Sequence, residues 1–440
     1  MNTLDNLFAN HLQTLRARFD DALAASGFEA AAIYAGRPVM QFLDDQPYPF
    51  RPNPHFKTWV PLSDAAECWV LYVAGAKPQL IFLQPLDYWH KPPAIPSDYW
   101  TSQVAMSVIR EPAEARKFMG GRPRCAFIGE WQTEFGDWGF AERNPPTLLE
   151  RLHYPRARKT AYEVECMRRA SNVGARGHRA AENAFRNGGS EYEIHLAYLQ
   201  ATRHTEAGLP YPNIIALNAN AAVLHYQHQS LERPAQRRSF LIDAGGQFGG
   251  YASDITRTYA AEDGEFADLI RALDRVQLSL CGQVRPAVDY AQIHLNAHLQ
   301  IATLLRDAGL ITATPETAVA SGLSGVFFPH GIGHLLGLQV HDVSGLTVDV
   351  QGRTKERPSG HPYLRLTRTL EPGFVVTIEP GIYFIDLLLG EARASGHGKQ
   401  IAWDRVDRLR PYGGIRIEDN VACTANEPEN LTRDAFARAA

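Results

Sequence analysis

The sequence has no Cys-x-x-Cys pair. Its five cysteines, Cys68, Cys125, Cys166, Cys281 and Cys423, are scattered and odd in number. That spacing argues against a disulfide scaffold and a zinc-thiolate site, and for a reducing compartment. No run of about 18 apolar residues occurs, so no membrane-spanning helix is expected. The opening stretch, MNTLDNLFANHLQTLRARFDDALAASGF, lacks the basic start and apolar core of a signal peptide. The expected location is therefore cytoplasmic. Neither sign of charge dominates: 44 Lys plus Arg face 48 Asp plus Glu, a net charge of -4. Nothing in that balance suggests nucleic acid or an anionic membrane as a partner.

What is present is ordinary globular material, 45% hydrophobic and 21% charged, in a chain of 440 residues. A chain of that length exceeds what one core usually supports, so two domains are expected. The segments AAAIYAG, CWVLYVAG, QLIFLQP and CAFIGE follow an N-terminal helical stretch and stop at glycine or proline. They read as strands of a small α/β domain. The proline-rich stretch NPPTLLERLHYPRARKT (144–160) reads as a linker, with a domain of 1–157 before it and one of 158–440 after it. A long helical pattern then runs to Gly188-Gly189, and Ser190 with Glu193 has the spacing of a capping box. Strand-like segments from Asn213 to Tyr259, helical spacing from Phe266 to Leu310 and further glycine-rich strands complete the pattern. Helices then strands, twice, suggests two related halves of one domain.

Two stretches carry chemistry. HGIGHLLGLQVHD (330–342) places His330, His334 and His341 among three glycines. LIDAGGQFGGYASDITRTY (241–259) places Asp243 and Asp254 on either side of a glycine-rich centre. If it is a hairpin turning near Phe248, the two aspartates oppose one another with Cβ atoms roughly 5 Å apart. Carboxylates that close repel unless a proton or cation lies between them, and two divalent ions about 3.5–4 Å apart would suit the gap. Glu379 ends a β-rich run before a Pro-Gly turn. Glu418 lies within GGIRIEDNV, two residues after Arg416 and so on the same strand face. An acid in an apolar strand is costly unless paired or metal-bound. Taken singly, an aspartate beside glycines is more often a turn residue, and a strand glutamate is more often solvated. The ordered set is harder to obtain by accident, and its oxygen-rich donors suit Mn, Co or Fe better than thiolate-bound zinc.

The ordered set Asp243, Asp254, His334, Glu379, Glu418 resembles the dinuclear site of the pita-bread metallopeptidases. The wordings VLHYQH, FFPHGIGHLLGLQVHD, TIEPGIYF and GGIRIEDN are most similar to the bacterial prolidases, with organophosphorus acid anhydrolases close by. The resemblance spans about residue 158 to the end; the first 157 residues resemble the creatinase-like α/β domain of the same enzymes, less specifically. It implies an α/β two-domain fold, a homodimer, Xaa-Pro dipeptides as substrates and two divalent ions, Mn²⁺ first and Co²⁺ second. In that scheme Asp243 chelates one ion, Asp254 and Glu418 bridge both, and His334 and Glu379 complete the second. The two ions would hold a hydroxide available at neutral pH. Glu379 would be the general base, with His225 and His341 stabilising the oxyanion. His330 has a supporting place, and Arg416 holds the bridging carboxylates, with substrate contact its second role. Arg365 is the receiver for the free carboxylate of proline, against the rival Arg368 and the plainer reading of a solvated arginine. Asp45, Tyr211 and Leu366 are candidate pocket-lining positions. An organophosphate triesterase, expected as a side activity, and an aminopeptidase P are the alternative activities. A catalytically dead binding protein is the rival from another class, disfavoured because all five ligand positions are intact.

Overall fold

The computed structural model describes residues 3–439. The chain divides into two compact units, 1–165 with 348–353, and 166–347 with 354–440.

The N-terminal unit starts with helix α1 (Leu4–Ser26), strand β1 (Ala30–Tyr34) and the short helix α2 (Pro54–Trp59). Strands β2 (Trp69–Val73), β3 (Gln79–Leu83) and β4 (Ala105–Ile109) follow. Helix α3 (Arg116–Met119), strands β5 (Cys125–Ile128) and β6 (Glu142–Arg143) and helix α4 (Pro146–Arg156) complete it. Its six strands form one mixed sheet in the order β4-β3-β2-β1-β5-β6. The four apolar runs expected as strands are β1, β2, β3 and β5. All five residues of β1 are buried, as a strand covered on both faces requires. Phe8, Leu12, Leu15, Phe19 and Leu23 of α1 recur at helical spacing and are buried, with Phe19 packed edge-on against Trp59 and Tyr72.

The expected linker is mostly helix. Pro145 and Pro146 stand at the cap and first turn of α4, where no backbone N–H is needed, so they start the helix rather than prevent it. Leu148, Leu152 and Arg156 then bury one face at four-residue spacing. Pro155 sits in the last turn, close to where the helix ends.

The C-terminal unit has two halves built alike. In the first, helices α5 (Ala161–Arg186) and α6 (Glu191–Thr202) precede strands β7 (Ile214–Leu217), β8 (Ser239–Asp243), β9 (Gln247–Phe248), β10 (Tyr251–Ala252) and β11 (Thr256–Ala260). Ser190 and Glu193 close the expected capping box reciprocally. Phe185, Ile194 and Tyr198 of the helices pack with Ile215, Phe240 and Ile242 of the strands. In the second half, helices α7 (Glu265–Cys281), α8 (Tyr290–Asp307), α9 (Pro315–Ala320) and α10 (Leu323–Phe327) precede strands β12 (Val375–Ile378) and β13 (Gly381–Tyr383). Helices α11 (Asp386–Ala394) and α12 (Trp403–Leu409), strands β14 (Gly414–Arg416), β15 (Asp419–Ala422) and β16 (Glu429–Asn430), and helix α13 (Leu431–Arg438) end the chain. Three-stranded antiparallel sheets, β11-β8-β7 and β12-β15-β16, form the two halves, and a bridge between Thr256 and Glu418 joins them.

The aspartate hairpin differs from expectation by two residues. Its turn is Gly249-Gly250, both at positive φ (59° and 85°), and β8 pairs with β11 so that Asp243 faces Thr256 rather than Asp254. A two-residue turn with both central residues at positive φ suits glycine and matches strand twist, which moves the turn past Phe248. Asp254 then falls in the gap between β10 and β11, Glu379 in the gap between β12 and β13, and Glu418 in the gap between β14 and β15. Interrupting a ladder frees side chains from strict alternation, and all three gaps lie where the halves meet.

Candidate metal centre

Asp243, at the end of β8, is held from two sides. Arg416 Nη2 donates to Oδ2 at 2.7 Å and the Tyr211 hydroxyl to Oδ1 at 2.8 Å. Burial pushes its carboxyl above the ordinary range, against the opposing pull of Arg416. Burial acts likewise on Asp254, but His334, whose Nε2 lies 3.3 Å from Oδ2, holds that carboxyl below its usual value. Glu379 has its Oε1 3.8 Å from the same imidazole nitrogen and its Oε2 3.7 Å from His330 Nδ1. Burial, aided by Asp254 and against His334, pushes Glu379 up to about 7. Glu418 is pushed well above the carboxylate range, first by burial and then by Asp254, Glu379 and Asp243.

These four carboxyl groups repel, and Arg416 is the one guanidinium bonded into them among the described residues. Asp254, His334 and Glu418 offer ligand atoms that all lie within 4.8 Å of one another. Thr256 Oγ1 donates to Glu418 Oε2 at 2.8 Å, while Glu418 Oε1 is buried and has no hydrogen-bond partner. A buried, unpaired carboxylate oxygen facing other carboxylates requires a proton or a cation. His334 is prepared for the cation. Its Nδ1 lies 2.9 Å from the carbonyl of Leu335, which takes the ring N–H and leaves Nε2 as a lone-pair donor. The donor set fits divalent metal.

Around this group the loop 330–342 is pressed onto β12. Gly333 has φ +151°, and a Cβ there would lie 2.3 Å from the Thr377 carbonyl oxygen and 2.4 Å from the Tyr290 hydroxyl. Glycine is thus required for the approach that seats His334, whose backbone N–H donates to Thr377 Oγ1 at 3.1 Å. A relay ties His330 to Arg416: Arg416 Nη1 donates to the Tyr383 hydroxyl at 3.0 Å, which lies 2.9 Å from His330 Nε2, and His330 Nδ1 lies 2.8 Å from the Gly331 carbonyl. Burial, then Arg416, pushes His330 down to about 3, so it is neutral at pH 7. His341 stands edge-on to His334, ring centroids 4.4 Å apart, and is pushed down to about 4 by partial burial, then by His334 and Arg365.

Asp243, Asp254, His334, Glu379, Glu418, Arg416, Tyr211 and His330 therefore converge. His225 and Arg365 are exposed; His225 is within electrostatic range of His330 and His341, and Arg365 of His341. Leu366, next to Arg365 in the chain, is wholly buried. Asp45 lies in the N-terminal unit, exposed, with Oδ1 accepting from Gln46 Nε2 at 3.2 Å. Arg368, the rival to Arg365, is buried with its guanidinium over the Phe374 ring. Sequence reading missed Tyr383, the joint between Arg416 and His330. Its only signal is its place two residues after Gly381 in TIEPGIYF, an alternation any strand would show.

Residues 6–154 match the family model described as Xaa-Pro dipeptidase, N-terminal domain, and residues 165–425 match metallopeptidase family M24. The chain belongs to metallopeptidase family M24. It is 51% identical over 435 residues to a Xaa-Pro dipeptidase of Stenotrophomonas maltophilia (strain K279a), covering 98% of each chain. It is 52% identical over 437 residues to a Xaa-Pro dipeptidase of Xanthomonas campestris pv. campestris (strain 8004), covering 99% of each. Among solved structures, aminopeptidase P from Escherichia coli with the inhibitor Pro-Leu superposes with a TM-score of 0.71 at 21% identity, over 96% of this chain and 98% of that one. That likeness shows the shared fold, the pita-bread architecture. As a member of the family the chain is a metal-dependent hydrolase, and divalent ions are its cofactors.

Proposed function

We propose that this metallopeptidase hydrolyses Xaa-Pro dipeptides with a pair of divalent ions held by Asp243, Asp254, His334, Glu379 and Glu418. The observation that carries the reading is the unpartnered Glu418 Oε1 among repelling carboxylates, and the activity named for relatives about half identical over nearly the full chain supports it. These four carboxylates and one imidazole would hold the ions and supply an oxygen-rich donor set, for which Mn²⁺ is the first choice and Co²⁺ the second. Residues 158–440 are read as the catalytic domain and 1–157 as its N-terminal companion.

When bound, the ions supply Lewis-acid polarisation of the scissile carbonyl and a nucleophile at neutral pH. The rest falls to side chains. Glu379, whose carboxyl sits near 7 before a cation arrives, takes the proton of the attacking water and passes it to the leaving nitrogen. His225 and His341, on the rim, donate N–H to the developing oxyanion. Arg416 orients Asp243 and, through Tyr383, His330. Arg365 receives the carboxylate of the C-terminal proline; it is exposed at the His341 side, where an Arg fork can bind bidentately. An Xaa-Pro bond has no N–H, so recognition of the substrate falls on its carbonyl and its two ends.

A homodimer is part of the reading. Phe42 and Leu43, at the tip of the loop that carries Asp45, are 88% and 91% exposed, and adjacent large apolar residues left in water favour a protein contact. A cytoplasmic setting fits five free, buried cysteines.

The test is chelated protein titrated with Mn²⁺ and assayed on Leu-Pro, Ala-Pro and Leu-Pro-Gly. Cleavage of the dipeptides alone, saturating at two ions per chain, is expected; better cleavage of the tripeptide overturns the dipeptidase assignment. Arg365→Ala should raise KM for dipeptides about 10- to 100-fold, the range of a lost charge-assisted hydrogen bond, with a smaller change in kcat.

A further inference from the structure

We propose that Glu191 and Tyr226 are positioning residues that hold His225 at the reacting carbonyl. The inference rests on the reading of His225 given above. His225 lies in a segment, 223–238, without helix or strand, whose side chains near it (Gln227, His228) are exposed. Nothing in the backbone ladder fixes it. What fixes the segment is one carboxylate.

Glu191, the first residue of α6, is 1% exposed. Its Oε1 accepts from the Leu217 backbone N–H and from Asn220 Nδ2, both at 2.8 Å. Its Oε2 accepts from the Tyr226 hydroxyl at 2.7 Å and the Ser230 backbone N–H at 2.8 Å. Asn220 Nδ2 also reaches the Tyr226 hydroxyl at 2.9 Å, and the Tyr192 N–H donates to the Ser230 carbonyl at 3.1 Å. The carboxylate thus ties the end of β7, the turn after it and both sides of His225 to the start of α6. The Tyr226 ring is buried with Ile214, Ala216, Ala221 and Leu241, so the residue next to His225 is anchored at both ring and hydroxyl.

The charge state is what the arrangement demands. Four donors converge on one side chain, and only an ionised carboxylate offers acceptors alone. Glutamine would aim an NH₂ at two of those donors. The start of a helix stabilises the negative charge. His225 in turn bears on His330 and His341, so a displacement of the loop removes an N–H donor from the rim and leaves the metal ligands in place.

The experiment is a double-mutant cycle on the Mn²⁺-loaded enzyme with Leu-Pro. Tyr226→Phe, which keeps the ring, should lower kcat/KM about tenfold, in the range found for residues that orient a ligand from behind, mostly in kcat and at unchanged metal content. Glu191→Gln should do the same or more. In a His225→Ala background Tyr226→Phe should then change kcat/KM less than twofold, because its effect passes through His225. An equal fall in both backgrounds, or no fall in the unmodified enzyme, overturns the proposal. Should His225→Ala itself leave kcat/KM unchanged, the role given to His225 fails, and the positioning role with it, while cleavage of Leu-Pro by the parent enzyme still stands.

Discussion

Glu418 and Asp419 are consecutive, both buried (2% and 0% exposed), and point to opposite faces of one strand edge. On the inner face Glu418 meets three other carboxyl groups and keeps an oxygen without a partner. On the outer face Asp419 accepts from Arg257 at 2.6 Å, Arg433 at 2.7 Å and Asn430 at 2.8 Å. Burial would raise both carboxyls. It wins at Glu418, whereas Arg257 and Arg433 hold Asp419 down to about 2. The same residue chemistry at the same depth thus serves two ends. A satisfied buried charge holds the fold, and an unsatisfied one holds a place for something absent from the polypeptide.

The sharpest way to break that contrast is to neutralise each acid. Glu418→Gln should lower kcat/KM by about a thousandfold, the several kcal/mol that metal-ion catalysis supplies, and reduce bound metal. Calorimetry of its chelated form should show no loss of Tm, because a repelling carboxylate has gone. Asp419→Asn should do the reverse. Leaving Arg257 and Arg433 facing a neutral group should cost roughly 3–5 kcal/mol, as when one partner of a buried pair is removed, with kcat per folded molecule changed less than tenfold. A Tm drop in chelated Glu418→Gln equal to that of Asp419→Asn would erase the distinction.

A smaller effect follows from pH. The folded Asp419 carboxyl is depressed to about 2, below an unfolded value of about 3.9. Its contribution is therefore complete above the unfolded value and is lost as pH falls toward the folded one. Urea unfolding of chelated protein should show the penalty of Asp419→Asn to be about 1 kcal/mol smaller at pH 3 than at pH 7. A penalty that does not depend on pH would mean the pair acts through packing alone.

These contrasts also mark what the sequence could and could not say. The aspartate pair was readable because glycines and acids recur in a set order, yet the turn at Gly249-Gly250 shifted its register, since either centre of GGQFGG satisfies the same pattern. Pro145 and Pro146 read as a linker because proline breaks helices, though at a first turn it starts them. Ser190 and Glu193 announced a cap. The buried Glu191 between them has no such local signal, because a count of donors arriving from residues 217 to 230 exists only in three dimensions. Arg257, Asp419 and Arg433 are likewise a long-range trio with no local spacing to betray them.

The smallest expected effect concerns a group that proximity alone would call a metal site. The ring nitrogens of His294, His298 and His361 also lie within 4.8 Å of one another. Here, however, the Ile332 N–H donates to His294 Nδ1 at 3.3 Å, which sets the ring proton on Nε2, directed at His361 Nδ1 2.9 Å away. His298 Nδ1 lies 2.9 Å from Ser324 Oγ. Burial, then the neighbouring imidazoles, pushes His294 down to about 2 and His298 down to about 3, so the rings are neutral and need no counter-charge. An ion would have to displace a made hydrogen bond and place a second N–H against that of Ile332. Zn²⁺ titrated into chelated protein should therefore saturate at the same two ions per chain with or without His298→Ala, a change that costs only the roughly 1–3 kcal/mol of a lost buried partner. A third ion that disappears with His298→Ala would show that converging imidazoles suffice, and that frustration of charge, as at Glu418, is not what marks the metal site.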